Sequence, residues 1–174
     1  MTIAFIGAGN MAGSLIRGLQ AGAYSAADIV AADPAPSQLD ALATLGISTT
    51  ENNAQAVAQA EIVVLAIKPQ ITGDVLQALP ALQPDQLVIS IVAGIDTRSL
   101  GDWLPDRQPI VRCMPNTPAL LGAGITGLYA NSWVTDTQRG EAEAILNGVG
   151  SSVWVSEESP VSYTHLTLPT KEEV

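Results

Sequence analysis

A single cysteine and a single histidine stand among 174 residues. Cys113 has no partner for an intrachain disulfide, and one Cys with one His falls short of a zinc ligand set, so disulfide-stapled and metal-built folds are excluded. Basic residues are scarce too, with 7 Lys and Arg against 17 Asp and Glu and a net charge of -10. Neutralising a phosphate backbone takes clustered cations, which rules out nucleic acid as a partner; the acidic excess serves solubility. No apolar run approaches the roughly 20 residues that cross a bilayer, the run from Ile62 to Ile67 being strand-sized, so no membrane span is expected. The opening MTIAFIGAG lacks the basic region and cleavage site of a secretory signal, which together with the lone thiol points to a cytoplasmic setting. Aromatics make up only 4% of the chain, too few for a core built on stacked rings.

Ala, Val, Ile, Leu and Gly are abundant within a hydrophobic fraction of 47%, as suits strands buried on both faces beneath closely packed helices. Their order alternates short apolar runs with helical spacing. Thr2 to Ile6 reads as a buried strand, followed by Gly7-Ala8-Gly9 and by Ala12, Leu15, Ile16 and Leu19 on one helix face. Asp28 to Ala32 is a second strand. Leu39, Leu42 and Leu45 before Gly46 mark a helix that ends on a left-handed glycine. Ile47 to Thr49, Glu61 to Ile67, Gln86 to Val92, Ile110 to Cys113, Thr126 to Ala130 and Ser152 to Val155 read as further strands. Between them lie a helix Ala54 to Ala60 capped by Asn52-Asn53, one carrying Val75, Leu76 and Leu79, and one carrying Leu100, Trp103 and Leu104. Met114 to Pro118 reads as a loop. Thr135 and Gln138 form a capping box for a helix with Ala142, Ile145, Leu146 and Val149 inward. This alternation predicts a Rossmann-like α/β domain with a doubly wound, mainly parallel sheet. The domain is expected over residues 1–157. Residues 158–174, which include the sole histidine, His165, have neither period nor place in the sheet and read as a disordered or artefactual tail.

Gly7-Ala8-Gly9-Asn10-Met11-Ala12 is a G-x-G-x-x-A pattern between a strand and an amphipathic helix. Gly7 permits the tight turn, Gly9 lets backbone approach a pyrophosphate, and Ala12 lets helix and strand pack closely. The helix N-terminus adds free N–H groups and a positive dipole end, so NADP or NAD is the expected cofactor. Asp33 ends the second strand, where a carboxylate either binds the ribose hydroxyls of NAD or serves as a turn residue before Pro34. No Arg follows it to clamp a 2′-phosphate, which leans toward NAD. Lys68, at the end of a buried strand, either meets a phosphate or ribose or snorkels to solvent. Asn53 either touches cofactor or caps its helix. Cys113 reads as a small buried hydrophobe rather than a nucleophile. Neither a catalytic residue nor a metal ligand is assigned.

The string FIGAGNMAGSLIRGL at 5–19 resembles the opening of pyrroline-5-carboxylate reductases, and VVLAIKPQ at 63–70, SIVAGI at 90–95 and VRCMPNTPALLGAGITGLYAN at 111–131 extend the resemblance to about residue 157. The resemblance implies that Gly7, Ala8, Gly9, Asn10 and Met11 cradle the pyrophosphate. It implies too that Asn53, Ala66, Ile67, Lys68 and Pro69 line the cofactor's path, that Val92, Ala93 and Gly94 border the nicotinamide, and that Asn116 faces the same cleft. It further implies hydride transfer from NAD(P)H to the imine carbon of 1-pyrroline-5-carboxylate, in proline biosynthesis. Family members continue with a Ser-Gly-Ser-Gly-Pro-Ala-Tyr type segment and a C-terminal helical domain that builds a homo-oligomer and completes the substrate site. Here Val161-Ser162-Tyr163-Thr164-His165-Leu166 stands in that place, so the chain is expected to represent the cofactor-binding half without that helical domain. Two other readings remain at this point: a nucleotide-binding or redox-sensing module that is not an enzyme, and a related dehydrogenase of β-hydroxyacid type.

Overall fold

Among the described residues the apolar runs become eight short strands, and the stretches of helical spacing between them become six α-helices. The computed structural model describes residues 1–115 and 124–156. In chain order these residues form β1 (Ile3–Ile6), α1 (Asn10–Ala21), β2 (Ile29–Ala32), α2 (Pro36–Ala43), β3 (Ser48–Thr50), α3 (Asn53–Val57), β4 (Ile62–Leu65), α4 (Pro69–Ala78), β5 (Leu87–Ser90), α5 (Thr97–Trp103), β6 (Ile110–Pro115), β7 (Gly124–Ala130), α6 (Asp136–Leu146) and β8 (Gly150–Trp154). The expected tail and Asn116 lie outside the described residues.

One sheet contains all eight strands in the order β3-β2-β1-β4-β5-β6-β7-β8. Every neighbouring pair is parallel except β6 with β7. Successive side chains leave a strand on opposite faces, and the chain uses this to build two cores. Ile3, Phe5, Ile62, Val64, Leu87 and Ile89 pack on one face beneath Leu15 and Ile16 of α1, Leu42 of α2 and Ile145 of α6. Ala4, Ile6, Val63, Leu65 and Val88 pack on the other beneath Val57 of α3, Leu76 of α4 and Leu100 of α5. β1, β4 and β5 are buried along their whole length, which is why they read as continuous apolar runs rather than alternating ones.

Side-chain amides tie down the opposite, amino-terminal edge of the parallel strands. Gln86, just before β5, donates from Nε2 to the carbonyls of Val57 (2.9 Å) and Ala60 (2.6 Å). Gln108, just before β6, donates to the carbonyls of Gln83 and Gln86, and Asn131 Nδ2 donates to the Gln108 carbonyl at 2.9 Å. Loop carbonyls buried there would each cost about 1–3 kcal/mol if left unpaired.

The structure departs from the sequence reading at several element boundaries, among them that β7 and β8 each begin two residues earlier, at Gly124 and Gly150. Met114 and Pro115, expected in a loop, extend β6, because the antiparallel partner β7 pairs with them through Gly127 and Thr126. α3 stops at Val57 rather than Ala60, and the Ala60 carbonyl is held by Gln86 instead. β3 sits one residue later than expected. Only Asn52 caps α3, its Oδ1 accepting from the Ala54 and Gln55 amides at 2.9 and 3.3 Å. Other local signals match: Gly46 is left-handed at φ +78°, and Thr135 with Gln138 forms the capping box of α6.

Candidate dinucleotide-binding site

Parallel pairing aligns the carboxyl ends of β1, β2, β4 and β5. Ile6 stands opposite Ala32 and Leu65, and Leu65 opposite Ser90. The next residues are therefore brought to one edge: Gly7, Asp33, Ala66 and Ile91. The chain leaves β1 for β2 on one side and returns to β4 on the other, so β1 and β4 flank the topological switch point. In open α/β sheets, ligands bind in the crevice outside that point.

Gly7 shows why the crevice needs glycine. Its φ is +96°, and a Cβ built on it would lie 2.4 Å from the carbonyl oxygen of Ala66. Ala66 N–H donating to Ile6 O at 2.8 Å holds the two loops this close, and Gly7 N–H donating to Ala32 O at 2.8 Å ties the first of them to the end of β2. Gly9 is the converse case. It is the N-cap of α1 in extended conformation, and a Cβ on it would meet nothing within 4 Å. Space is thus open where the loop turns into the helix. No side chain caps α1, which leaves the first-turn N–H groups around Asn10 and Met11 for a ligand, at the positive end of a 12-residue helix dipole. Ala12, 1% exposed, packs α1 onto the sheet without standing it off. A pyrophosphate fits these features: donors without internal partners, and an opening that only a missing side chain leaves clear.

Asp33 is half-buried, and both carboxylate oxygens are engaged. Oδ2 accepts the Ala8 amide at 2.9 Å, and Oδ1 accepts the Ala35 amide at 2.9 Å. The second bond is the turn role expected before Pro34; the first, to the glycine loop, has no counterpart in the sequence reading.

After β4, Ala66 and Ile67 are half-buried and Lys68 is exposed at the N-cap of α4, with Pro69 as its first residue. Lys68 faces solvent beside the crevice and is not sunk in it. After β5, the buried Val92 is anchored by its amide donating to Ser90 Oγ at 3.3 Å, while Ala93 and Gly94 are exposed, Gly94 left-handed at φ +74°. Asp96 then caps α5 by accepting the Ser99 amide at 2.7 Å, and that bond, aided by the Ser99 hydroxyl, holds its carboxyl below the usual range. Since Asn52 does the capping, Asn53 is left half-buried beside Glu51, Asp74 and Val75 in an open cleft of about 520 Å³ between α3 and α4. The cleft runs from Asn53, at the start of α3, to Leu79, just past α4, and none of its lining residues belongs to the glycine loop. Asn116 lies outside the described residues.

Cys113 is buried on β6, packed in the first of the two cores, and burial pushes its thiol far above the ordinary range. It is a core hydrophobe, as its sequence context suggested. Among the described residues no cluster of His, Cys, Asp and Glu could hold a metal ion, and no helix is long and apolar enough to cross a membrane. A thiol-specific disulfide reagent at pH 8 is expected to leave the folded chain unmodified and to label one thiol per chain in denaturant; rapid labelling of the native chain would contradict this. Because the folded thiol is raised above the unfolded one, Cys113's contribution to stability is complete below about pH 9 and declines as pH rises beyond it.

Residues 2–94 match the family described as NADP oxidoreductase coenzyme F420-dependent. The chain is 52% identical over 161 residues to a pyrroline-5-carboxylate reductase of Pseudomonas aeruginosa, a match that takes in 91% of this chain and 59% of that protein. Its fold superposes on the solved structure of a pyrroline-5-carboxylate reductase from Coxiella burnetii with a TM-score of 0.86 at 39% identity, covering 90% of this chain and 59% of that one. It also superposes on the Plasmodium falciparum pyrroline carboxylate reductase solved with NADP bound, with a TM-score of 0.79 at 26% identity over 90% of this chain and 58% of that one. The chain thus spans a little under three-fifths of the length of the relatives it matches.

Proposed function

Because the chain belongs to the NADP oxidoreductase coenzyme F420-dependent family, we propose that it is the dinucleotide-binding part of a reductase that converts 1-pyrroline-5-carboxylate to proline with NADPH or NADH. The observation that carries the reading is 52% identity to a reductase of that name, in a chain whose glycine loop lies at the switch point of the sheet. Fold alone would equally admit a β-hydroxyacid dehydrogenase; the sequence identity favours the imine reductase. A cytoplasmic setting and a homo-oligomer built through the family's helical domain belong to the same proposal, as does the division into a domain at 1–157 and a tail beyond it.

A bound nicotinamide would supply the hydride for the imine carbon. The chain's own residues bind and aim. Gly7 seats the glycine loop against Ala66, the opening at Gly9 admits the pyrophosphate, and the first turn of α1 donates hydrogen bonds to it. The segments Ala66 to Pro69 and Val92 to Gly94 form the walls on the β4 and β5 side. There Val92, buried in the second core and anchored by its amide hydrogen bond to Ser90, supports the wall from beneath, while the exposed Ala93 and Gly94 are the residues that would face a ligand. Such positioning matters because donor and acceptor carbons must approach to roughly 3–3.5 Å, and correct alignment supplies on the order of 7–11 kcal/mol of the barrier reduction.

The test is a chimera in which residues 1–157 replace the matching part of the Pseudomonas aeruginosa relative. It is expected to oxidise NADPH or NADH in the presence of pyrroline-5-carboxylate and to form proline. A folded chimera that binds cofactor but forms no proline would refute the substrate assignment.

A further inference from the structure

We propose that Asp33 is a positioning residue: its carboxylate braces the glycine loop in the shape that receives a dinucleotide, and acts on cofactor binding through that loop rather than by reading the ribose. The proposal rests on the dinucleotide-binding reading above and names how one side chain serves it.

The loop needs a brace because of its composition. Ala8 stands between two glycines, the most freely rotating residues in a chain. Gly7 is fixed at φ +96° by its closeness to Ala66, but nothing lies within 4 Å of the Cβ position of Gly9 to restrain it from outside. Between them the Ala8 amide belongs to a residue only 5% exposed, so water cannot readily satisfy it, and a buried N–H demands a partner. Asp33 Oδ2 is that partner, at 2.9 Å across 25 residues of sequence. A carboxylate acceptor makes this about twice as strong as a neutral bond.

Asp33 is itself held on two further sides. Its Oδ1 accepts the Ala35 amide at 2.9 Å, and its own amide donates to Thr50 O at 3.2 Å, extending the β2–β3 ladder by one residue. The side chain thereby joins the loop after β1 to the turn after β2, and the backbone of the same residue ties both to the end of β3. Both carboxylate oxygens are turned into backbone. The Ala8 N–H, spent on Asp33, is not a phosphate donor; the donors left are those of the first turn of α1. The orientation of that turn and the width of the opening at Gly9 therefore depend on where Asp33 holds Ala8.

The two roles for Asp33 predict opposite results. If the carboxylate repels a 2′-phosphate, removing its charge strengthens NADPH binding at the expense of NADH. If it braces the loop, removal weakens both together. Asp33→Asn keeps the shape but sets an NH₂ group against one of the two backbone amides; Asp33→Ser keeps a hydroxyl for the Ala35 turn but is too short to reach Ala8. The parent chain and both variants, checked for folding by circular dichroism, are titrated calorimetrically with NADPH and with NADH, and amide hydrogen exchange is followed at Ala8.

In each folded variant the expected result is at least about a tenfold loss for both dinucleotides, a change of less than about threefold in their affinity ratio, and faster exchange at Ala8. Unchanged affinities would overturn the brace, as would a swing of about tenfold or more toward NADPH with Ala8 protection intact. A folded parent that binds neither dinucleotide would instead overturn the function proposed above, and the parent titration alone tells the two failures apart.

Discussion

A Gly9→Val chain is expected to fold as the parent does and to lose nicotinamide dinucleotide binding by at least about a hundredfold, or about 2.7 kcal/mol. The folded state has room for the new side chain, since a Cβ there meets nothing within 4 Å. Its backbone, φ -73° and ψ -172°, is one that any residue adopts. The only local penalty is exchanging glycine for a poor N-cap, about 1 kcal/mol. The isopropyl group, however, occupies the opening between loop and helix through which a pyrophosphate would reach the α1 amides. Calorimetric titration beside a thermal melt separates the two effects. Retained affinity in a folded variant would show that the opening at Gly9 is not the phosphate site.

Gly7→Ala should do the reverse, damaging the fold first. A Cβ at φ +96° is strained by about 1–2 kcal/mol, and here it would stand 2.4 Å from the Ala66 carbonyl oxygen, which is backbone and cannot rotate away. Either β1 and β4 separate at their carboxyl ends, which breaks the bond from Ala66 to Ile6, or the loop leaves its turn, which breaks the bond from Gly7 to Ala32. A loss of about 3 kcal/mol or more is expected, lowering the melting temperature by roughly 6–12 °C in a chain of this size. A melt within about 2 °C of the parent would mean that the two loops are not in fact held this close.

These two glycines stand two positions apart, in a pattern whose meaning could be read locally, and that is why the site's centre was legible in the sequence. So were the strands buried on both faces, because a continuous apolar run such as Ile62 to Leu65 follows from burial itself. What escaped were contacts between positions far apart in sequence. The Ala8 to Asp33 bond spans 25 residues, and nothing in a turn-forming Asp before Pro34 reveals where its second oxygen points. The Gly18 to Gly148 crossing is another case: a Cβ on Gly18 would clash with the Gly148 carbonyl oxygen, a contact between distant positions that no local pattern announces. β6 outran its apolar run because an antiparallel partner lent pairing to Met114 and Pro115, and α3 stopped at Val57 because Gln86 claims the Val57 carbonyl while the Glu61 amide that would continue the helix goes to Thr2 O. In each instance a tertiary partner overrode the local pattern.

Calorimetric titration of the 174-residue chain with NADPH and NADH decides whether the crevice between β1 and β4 is a nicotinamide dinucleotide site. Saturable binding of one dinucleotide per chain is expected, abolished in Gly9→Val. A folded chain that takes up neither, or that binds as well with valine at position 9, would contradict that assignment.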